Sequence, residues 1–205
     1  EEDRYSANEV ARHLARSVWR LGREGSAVIG IEAPWGAGKS SLLNLLEQQL
    51  QTSRGEKDHI ITLSPWLNGD SFSPVGSLLL PVAAIVEQYE SEKYQKRKML
   101  TATTLTIFQY IQATSRLVSP VAELAALIPG VPDISVYTRA LGKLDSSRRK
   151  PTAAELRSRI ARRIEELDLS YVILIDELAR LELLQAADVI TAVKSVVDFL
   201  RRSEE

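Results

Sequence analysis

The feature that most constrains this chain is a glycine-containing loop at residues 33–41, Ala-Pro-Trp-Gly-Ala-Gly-Lys-Ser-Ser, which joins two segments of different periodicity. Before it, residues 27–32 form the short apolar run of a buried strand. After it, residues 39–50 place leucines along one side of a helix. A strand, a glycine loop and a helix in this order are typical of α/β proteins that bind phosphate. The loop therefore predicts an α/β domain with a phosphate site.

The residue types in this loop suit the chemistry of a phosphate. Gly36 and Gly38 let backbone N–H groups converge on phosphate oxygens, an approach that Cβ atoms would obstruct. Lys39 offers a flexible cation to the β- and γ-phosphates, and the Ser40 hydroxyl can hold Mg²⁺. Ala33 stands where the usual pattern has glycine and fits if its φ is negative. The predicted nucleotide-binding residues are Pro34, Trp35, Gly36, Ala37, Gly38, Lys39, Ser40 and Ser41, whose hydroxyl can reach the α-phosphate. For the motif taken alone, the alternative is a glycine turn before a solvated lysine.

A second strand end with acidic residues follows far downstream. Residues 171–175 are the near-continuous apolar run of a parallel strand buried on both faces, and Asp176 and Glu177 come directly after it. An aspartate there can accept a hydrogen bond from Mg²⁺-bound water beside Ser40, and the glutamate can orient or deprotonate the attacking water. We therefore predict Ser40 and Asp176 as metal-site residues, and Lys39 and Glu177 as catalytic residues. Read without the glycine loop, the acidic pair is more typical of a helix N-terminus favoured by the helix dipole.

Helical patterns and one further strand complete the predicted architecture. Capping boxes at Ser6 and Thr152, each with glutamate three residues later, begin segments with an apolar stripe at helical spacing. Residues 59–63 have the composition of a short strand, and residues 184–200 that of a final helix. We predict a single domain over residues 1–205, a three-layer α/β/α sandwich with a short, incomplete parallel sheet and a helical insertion at about 75–150.

Composition excludes several other classes of protein. The chain has 205 residues, 44% of them hydrophobic, which suffices for one sizeable core. It has no cysteine and two histidines, so thiolate chemistry and histidine-rich metal centres are excluded. The net charge of −1 gives no global field for nucleic acid. The N-terminal residues lack the pattern of a signal peptide, and the apolar stretches at 75–86 and 117–128 are shorter than the ~20 residues of a spanning helix. We expect a cytoplasmic protein without a transmembrane segment.

Three motifs together resemble the KAP P-loop NTPases, a family that includes phage-exclusion proteins. The family's loop is similar to Pro-Trp-Gly-x-Gly-Lys-Ser-Ser, which residues 34–41 match. After the next strand the family has a Pro-Trp pair, matched by Pro65-Trp66. Its Walker B strand ends in a sequence like Ile-Asp-Asp-Leu-Asp-Arg-Leu, and residues 175–181 have Ile-Asp-Glu-Leu-Ala-Arg-Leu. The resemblance spans about residues 28–199, but only these motifs are specific.

Two departures from the family pattern bear on activity. Glu177 replaces the second aspartate, and this exchange still supports hydrolysis because related ATPases have a catalytic glutamate there. Ala179 replaces a carboxylate, whose role is then absent or supplied elsewhere. Many relatives carry membrane-spanning helices between the two Walker motifs, where residues 101–128 are amphipathic here. The family's membrane location is therefore not transferred.

One element expected in this class of NTPase is not visible in the sequence. A strand with a polar residue that senses the γ-phosphate usually follows the Walker B helix and lies between the P-loop and Walker B strands. The sequence shows neither this strand nor a lid before its last residue, Glu205. Either the sequence is a fragment of a longer protein, or the NTPase is degenerate. We expect hydrolysis to depend on a partner subunit or a further segment.

Weaker signals leave two alternatives each. One stretch of the chain is rich in basic residues. It can contact nucleic acid phosphates or supply an arginine finger, or it can be a solvated helix face paired with nearby glutamates. Its residues are Arg148, Arg149, Lys150, Arg157, Arg159, Arg162 and Arg163. Arg180 can face the site or form a surface ion pair. Trp35 and Trp66 are expected to be core residues, or to pack together beside the nucleotide. Tyr5 is a candidate to stack on a base, and a metal role for His13 is not expected.

The residues and the resemblance together lead to one main hypothesis and two alternatives. The main one is Mg²⁺-dependent ATP binding with conditional hydrolysis to ADP and phosphate, in which nucleotide state switches assembly as a homo-oligomer or with a partner protein, in bacterial anti-phage defence. The first alternative is a nucleotide-gated scaffold that never hydrolyses. The second is a phosphotransferase, which needs an acceptor pocket and an arginine-rich lid. The guanine-reading sequence Asn-Lys-x-Asp is absent, which favours ATP.

Overall fold

The computed structural model describes four stretches of the chain, residues 6–64, 73–94, 100–114 and 151–200. The chain divides into two compact units. The first unit comprises residues 1–67 and 168–205, and the second comprises residues 68–167. The residues predicted to bind nucleotide and metal all belong to the first unit.

Six helices, two strands and one short 3-10 turn lie in the described stretches. In chain order they are α1 (Ala7–Glu24), α2 (Lys39–Ser53), β1 (Asp58–Leu63), α3 (Pro74–Tyr94), α4 (Ala102–Thr114), α5 (Ala153–Leu167), β2 (Ser170–Ile175), the 3-10 turn (Leu178–Arg180) and α6 (Leu183–Leu200). The helices predicted at the N-terminus, after the glycine loop, after Thr152 and at the end of the chain are therefore confirmed, as are the two strands predicted at 59–63 and 171–175.

The sheet of the first unit consists of β1 and β2, which pair in parallel over their full lengths. Asp58 lies opposite Ser170 at one end, and Leu63 lies opposite Ile175 at the other. Parallel neighbours need a long connection, which the intervening residues supply. The α/β class and the short parallel sheet predicted from the sequence are confirmed.

Helices α1 and α2 pack against each other and contribute with the strands to one apolar cluster. In α1, Ala15 and Trp19 lie one turn apart and are buried, which explains why this helix is amphipathic. The Trp19 indole donates a hydrogen bond from Nε1 to Ser53 Oγ at 3.1 Å, which ties α1 to the last residue of α2. The cluster is formed by Ala15, Trp19, Leu46, Leu50 and Leu174, with Leu14, Val18, Leu43, Ile60 and Val172 packed around it.

The strand predicted at residues 27–32 is not formed. These residues belong to no helix or strand, and the Val28 and Ile29 side chains are 61% and 47% exposed. A strand needs a neighbour to pair its backbone groups. In the described part of the chain the sheet consists of β1 and β2 alone, and residues 27–32 pair with neither of their outer edges. The local sequence has strand character, but a local pattern does not provide the partner.

The two predicted capping boxes differ in outcome. At α5, the Thr152 N–H donates to Glu155 Oε2 at 2.7 Å and the Glu155 N–H donates to Thr152 Oγ1 at 3.2 Å, so this box is confirmed. At α1 the prediction is wrong, because the Ser6 side chain makes no capping hydrogen bond. Capping requires an extended backbone at the N-cap residue, whereas Ser6 has φ 51° and ψ 31°.

A half-buried histidine in β1 makes the stability of the first unit dependent on pH. The His59 ring lies next to the ring of Tyr171 on β2, with centroids 5.9 Å apart. Burial lowers the pKa of His59, the nearby Arg54 guanidinium lowers it further, and Asp58 opposes them. The native chain therefore protonates His59 at a lower pH than the unfolded chain, in which histidine titrates near about 6.5.

As pH falls through about 6.5, the unfolded chain takes up a proton that the native chain does not, so the free energy of unfolding is expected to decrease. The contribution of His59 is complete above this pH and is lost below it. Urea unfolding followed by circular dichroism at pH 8 and pH 5.5 measures the change. His59→Phe should reduce the pH dependence, whereas the control His13→Gln, which alters an exposed histidine of α1, should leave it as it was. Equal pH dependence in the wild-type chain and His59→Phe would contradict the assignment.

The second unit contains a buried ion pair between two of its three described helices. The Glu90 carboxylate of α3 is almost fully buried and accepts hydrogen bonds from Arg163 Nε of α5 at 2.6 Å and from Thr103 Oγ1 of α4 at 2.8 Å. Arg163 also pairs with Glu166 on its own helix. A carboxylate removed from water needs such partners, and it therefore links the three helices. The interpretation of this helix as a solvated basic face did not include the contact of Arg163 with the buried Glu90.

Arg163→Ala is expected to lower the free energy of unfolding of the second unit by about 3 kcal/mol, because it leaves the Glu90 charge buried with one hydroxyl donor. This is the lower end of the usual range, since the Arg163 side chain is 31% exposed. Hydrogen exchange of the α3 and α5 amides measures the loss directly. The matched control Arg159→Ala, an exposed arginine of the same helix, should change stability by less than about 0.5 kcal/mol. Equal effects of the two substitutions would show that the pair does not stabilise this unit.

The second unit occupies the region predicted to be a helical insertion and extends to Leu167, since α5 contacts α4. The organisation of the chain as one domain with an insertion stays a prediction. Among the helices of the described stretches, none combines the length and the apolar character that crossing a membrane requires.

Candidate functional site

The glycine loop adopts a backbone conformation that only its glycines permit easily. Gly36 has φ 81° and Gly38 has φ 86°, both in the left-handed region. A Cβ atom built on either glycine would meet no atom within 4 Å, so space beside both positions is open. Ala33 keeps a negative φ, as the replacement of the usual glycine requires. The loop therefore places glycine where the backbone needs it and leaves a cradle that side chains would otherwise fill.

Lys39 folds back over this loop. Its Nζ donates to the carbonyl oxygen of Ala33 at 2.7 Å and to that of Pro34 at 3.0 Å. The loop is closed by a turn in which the Ala37 N–H donates to Pro34 O at 3.2 Å. The ammonium group is thus held at the mouth of the glycine turn by weakly basic carbonyl acceptors, which an anion can replace.

Helix α2 begins at Lys39, directly after the loop, and its N-terminus is open. Gly38 is the N-cap residue and provides no side-chain cap, so the first N–H groups of the helix are not satisfied by a capping side chain. Ser40 and Ser41 lie exposed in the first turn. Residues 39–41 therefore bring together several groups that attract an anion. They are the positive end of the helix dipole, the free N–H groups, two hydroxyls and the Lys39 ammonium.

These donors fit a nucleoside triphosphate. Phosphate oxygens need several donors converging at short range, and the open space beside Gly36 and Gly38 allows that approach. The Ser40 hydroxyl is an oxygen ligand of the kind that Mg²⁺ prefers. In the described residues no three His, Asp or Glu side chains group closely enough to hold a metal. A Mg²⁺ ion at this site would therefore depend on few protein ligands and on the phosphates, as is usual for nucleotide-bound Mg²⁺.

The acidic pair lies at the carboxyl end of the sheet. The Asp176 N–H donates to Leu63 O at 3.0 Å, which extends the pairing of β2 with β1 by one residue. The half-buried Asp176 carboxylate accepts the Glu177 N–H on Oδ1 at 2.7 Å. Glu177 itself has φ 62° and ψ 22°, a left-handed backbone that is uncommon for a residue with a side chain. Strained conformations of this type are concentrated at functional sites.

The glycine loop and the acidic strand end are parts of the same unit and flank one apolar cluster. Leu43, one turn after Lys39 in α2, packs against the cluster that contains Leu174, two residues before Asp176. Lys39 nevertheless makes its hydrogen bonds to loop carbonyls, and none of the described contacts joins it to either carboxylate. Ligands in open α/β sheets bind outside the carboxyl ends of the strands, which is where Asp176 and Glu177 lie.

For Arg180 the sequence left open a site-facing cation or a surface ion pair, and the structure shows an ion pair with Glu177. Its Nη2 lies 2.8 Å from Glu177 Oε1, across the 3-10 turn. The signal was present, because residues three apart on a helical turn are neighbours. The sequence alone, however, does not show that the Arg180 guanidinium and the Glu177 carboxylate pair with each other.

Several other predicted residues differ from expectation or lie outside the described residues. Trp35 is 96% exposed, so its prediction as a core residue is wrong. It lies at the tip of the loop, where it has no neighbouring element to pack against among the described residues. Pro65-Trp66, Tyr5 and the basic residues 148–150 lie outside the described residues.

A glycine loop with an open, lysine-covered cradle before a helix, together with an acidic strand end, defines the P-loop nucleotide-binding class. A family model described as KAP family P-loop domain matches residues 7–203, and the chain belongs to this family. The resemblance drawn from the three motifs is confirmed. The chain is also 33% identical over 213 residues to the phage T7 exclusion protein of Escherichia coli (strain K12). That match covers 98% of this chain and 28% of the relative, so the chain spans less than a third of the relative's length. No solved structure matches the chain.

Proposed function

We propose that this chain binds ATP with Mg²⁺ at residues 34–41 and hydrolyses it to ADP and phosphate once a partner or a further segment completes the site. The observation that carries the proposal is the conformation of Gly36 and Gly38, both left-handed, open on the side where a Cβ would lie, and directly before an uncapped helix N-terminus. No packing requirement explains two such glycines, because a Cβ at either position would meet no atom within 4 Å.

The binding step uses the loop and the start of α2. The backbone N–H groups and Ser41 would contact phosphate oxygens, and Lys39 would exchange its two carbonyl acceptors for the β- and γ-phosphates. Such an exchange costs little, since hydrogen bonds from a cation to phosphate are stronger than those to neutral carbonyls. Trp35, exposed at the loop tip, is available to a ligand or partner at the same place.

The hydrolytic step uses the acidic strand end. Bound Mg²⁺ would neutralise part of the triphosphate charge, with Ser40 and Asp176 as the residues that hold it. Glu177 would orient the attacking water and accept its proton, while Lys39 stabilises charge on the transferring phosphoryl group. The Glu177 N–H donates a hydrogen bond to the Asp176 carboxylate. The residue proposed to hold the metal therefore also fixes the backbone of the candidate base.

A second candidate function is a nucleotide-gated scaffold that binds ATP without hydrolysing it. The position of Lys39 favours this alternative, because its Nζ bonds to loop carbonyls and no described contact joins it to the Asp176 or Glu177 carboxylate. The name of the relative, a phage exclusion protein, supports a place for either function in anti-phage defence. We extend the proposal accordingly, with nucleotide state switching the assembly of the chain with itself or with a partner.

Calorimetric titration of the chain with ATP, combined with a phosphate-release assay, tests the proposal. ATP binding together with phosphate release supports the hydrolytic function. Binding without release, even when the completing partner or segment is present, supports the scaffold. Absence of ATP binding in the presence of Mg²⁺, in a chain whose circular dichroism is that of a folded α/β protein, excludes both.

A further inference from the structure

The 3-10 turn after the acidic pair restrains both the backbone and the side chain of the candidate base, Glu177. Arg180 donates its N–H to Glu177 O at 3.0 Å, and the Glu177 N–H donates to Asp176 Oδ1 at 2.7 Å. Both backbone groups of Glu177 are thereby fixed. The free rotation left to this residue is that of its side chain, which has three rotatable bonds and a considerable rotamer entropy.

The side chain of Glu177 is restrained by one contact. Arg180 Nη2 lies 2.8 Å from Oε1, and among the described residues no other donor is bonded to the Glu177 side chain. The contact is monodentate, although an arginine can form two parallel hydrogen bonds to a carboxylate. One oxygen of the carboxylate is thus held by the cation, and Oε2 has its lone pairs available to a water molecule.

Stability does not account for this contact. The Arg180 side chain is 58% exposed and that of Glu177 is 23% exposed, so the arginine lies on the solvent side of the pair. Ion pairs with this exposure contribute little to folding. The left-handed backbone at Glu177 opposes stability as well. Strained backbones of this kind are concentrated at functional sites, and this one directly precedes the turn that brings Arg180 to the Glu177 carboxylate.

We propose that Arg180 is a positioning residue for Glu177: it holds Oε1 and so directs Oε2 toward the attacking water. This inference rests on the proposed hydrolytic function and specifies how its base is oriented. Arg180 acts through Glu177 and not through the phosphates. Its loss should therefore slow turnover without weakening ATP binding, because the loop residues that bind ATP are not altered.

The test compares five forms of the chain, each assayed with the completing partner or segment: wild type, Arg180→Gln, Arg180→Lys, Glu177→Gln and the double variant Glu177→Gln/Arg180→Gln. We expect Arg180→Gln to lower kcat about tenfold, which is less than the loss of a general base costs, and to leave KM and the Kd for ATP unchanged. Arg180→Lys should restore most of kcat, since a monodentate contact needs a single N–H donor. The double variant should be no slower than Glu177→Gln alone. Arg20→Gln, an exposed arginine of α1, is the matched control and should behave as wild type.

Three outcomes overturn the inference, and they are distinct from failure of ATP binding. An unchanged kcat in Arg180→Gln shows that Glu177 needs no positioning. A lysine variant as slow as the glutamine variant, with an additive double variant, shows that Arg180 acts directly on the phosphates. If the wild-type chain binds ATP but releases no phosphate with the completing partner or segment present, Glu177 is not a base and Arg180 has no base to position, while nucleotide binding stands. If the chain does not bind ATP at all, the proposed function itself fails.

Discussion

Lys39→Ala is expected to reduce the affinity for ATP by about 100-fold, equivalent to about 2.7 kcal/mol. The substitution removes the one flexible cation of the loop, and hydrogen bonds between a cation and phosphate are worth roughly 1.5–3 kcal/mol each. It also removes the two hydrogen bonds that Nζ donates to the Ala33 and Pro34 carbonyls, while the turn from Ala37 N–H to Pro34 O is kept. Calorimetric titration with ATP and Mg²⁺ measures the effect.

The matched control for this variant is Lys194→Ala, which removes an exposed lysine from α6 in the same unit. It should bind ATP as the wild-type chain does. Since alanine is a good helix former, Lys39→Ala should leave α2 and the circular dichroism of the chain unchanged. If Lys39→Ala binds ATP as tightly as Lys194→Ala, the loop is a glycine turn before a solvated lysine, and the phosphate site lies elsewhere.

Glu177→Gln is expected to lower the rate of phosphate release by about 10²–10⁴, the range that general base catalysis contributes. Glutamine has nearly the same size but cannot accept the proton of the attacking water. The affinity for ATP should stay within about threefold, because a base that acts in the transition state contributes little to ground-state binding. Single-turnover phosphate release separates this effect from nucleotide exchange.

Glu182→Gln is the control for Glu177→Gln, because it neutralises an exposed carboxylate that follows the same 3-10 turn. This variant should release phosphate at the wild-type rate. A Glu177→Gln chain that is as fast as Glu182→Gln would show that the water is activated by another group. Loss of ATP binding in Glu177→Gln would indicate instead that the residue belongs to the binding site.

The elements that follow from short-range chemistry were predictable from the sequence. The helix after the glycine loop, the cap at Thr152 and the apolar strand before Asp176 each depend on residues within one or two turns of the chain. The negative φ expected of Ala33 is likewise local and is confirmed. Such features need no knowledge of distant contacts, since periodicity and capping are properties of the segment itself.

Features that depend on distant residues were not predictable. Residues 27–32 have strand composition, but no strand of the described chain pairs with them, so Val28 and Ile29 stay exposed. The bond between Glu90 and Arg163 joins residues 73 positions apart, and in the sequence Arg163 belongs to a surface-like basic cluster. Trp35 has the apolar character of a core residue but lies at a loop tip. In each case tertiary context decides, and a single sequence does not contain it.

The candidate site shows the same division. The chemical identity of Lys39, Ser40, Asp176 and Glu177 follows from their residue types and from their positions after a loop and a strand. Their partners do not: Lys39 bonds to the loop carbonyls, and Glu177 pairs with Arg180. Roles were therefore accessible from sequence, while the contacts that hold each side chain in place required the structure.

Calorimetric titration of ATP into the wild-type chain, with Mg²⁺ and then with a chelator, tests nucleotide binding at residues 34–41 most directly. We predict saturable binding at one site, weakened when Mg²⁺ is removed and weakened about 100-fold in Lys39→Ala. Absence of heat and of competition by ADP in a chain that circular dichroism shows to be folded would contradict the assignment of this loop as the nucleotide site.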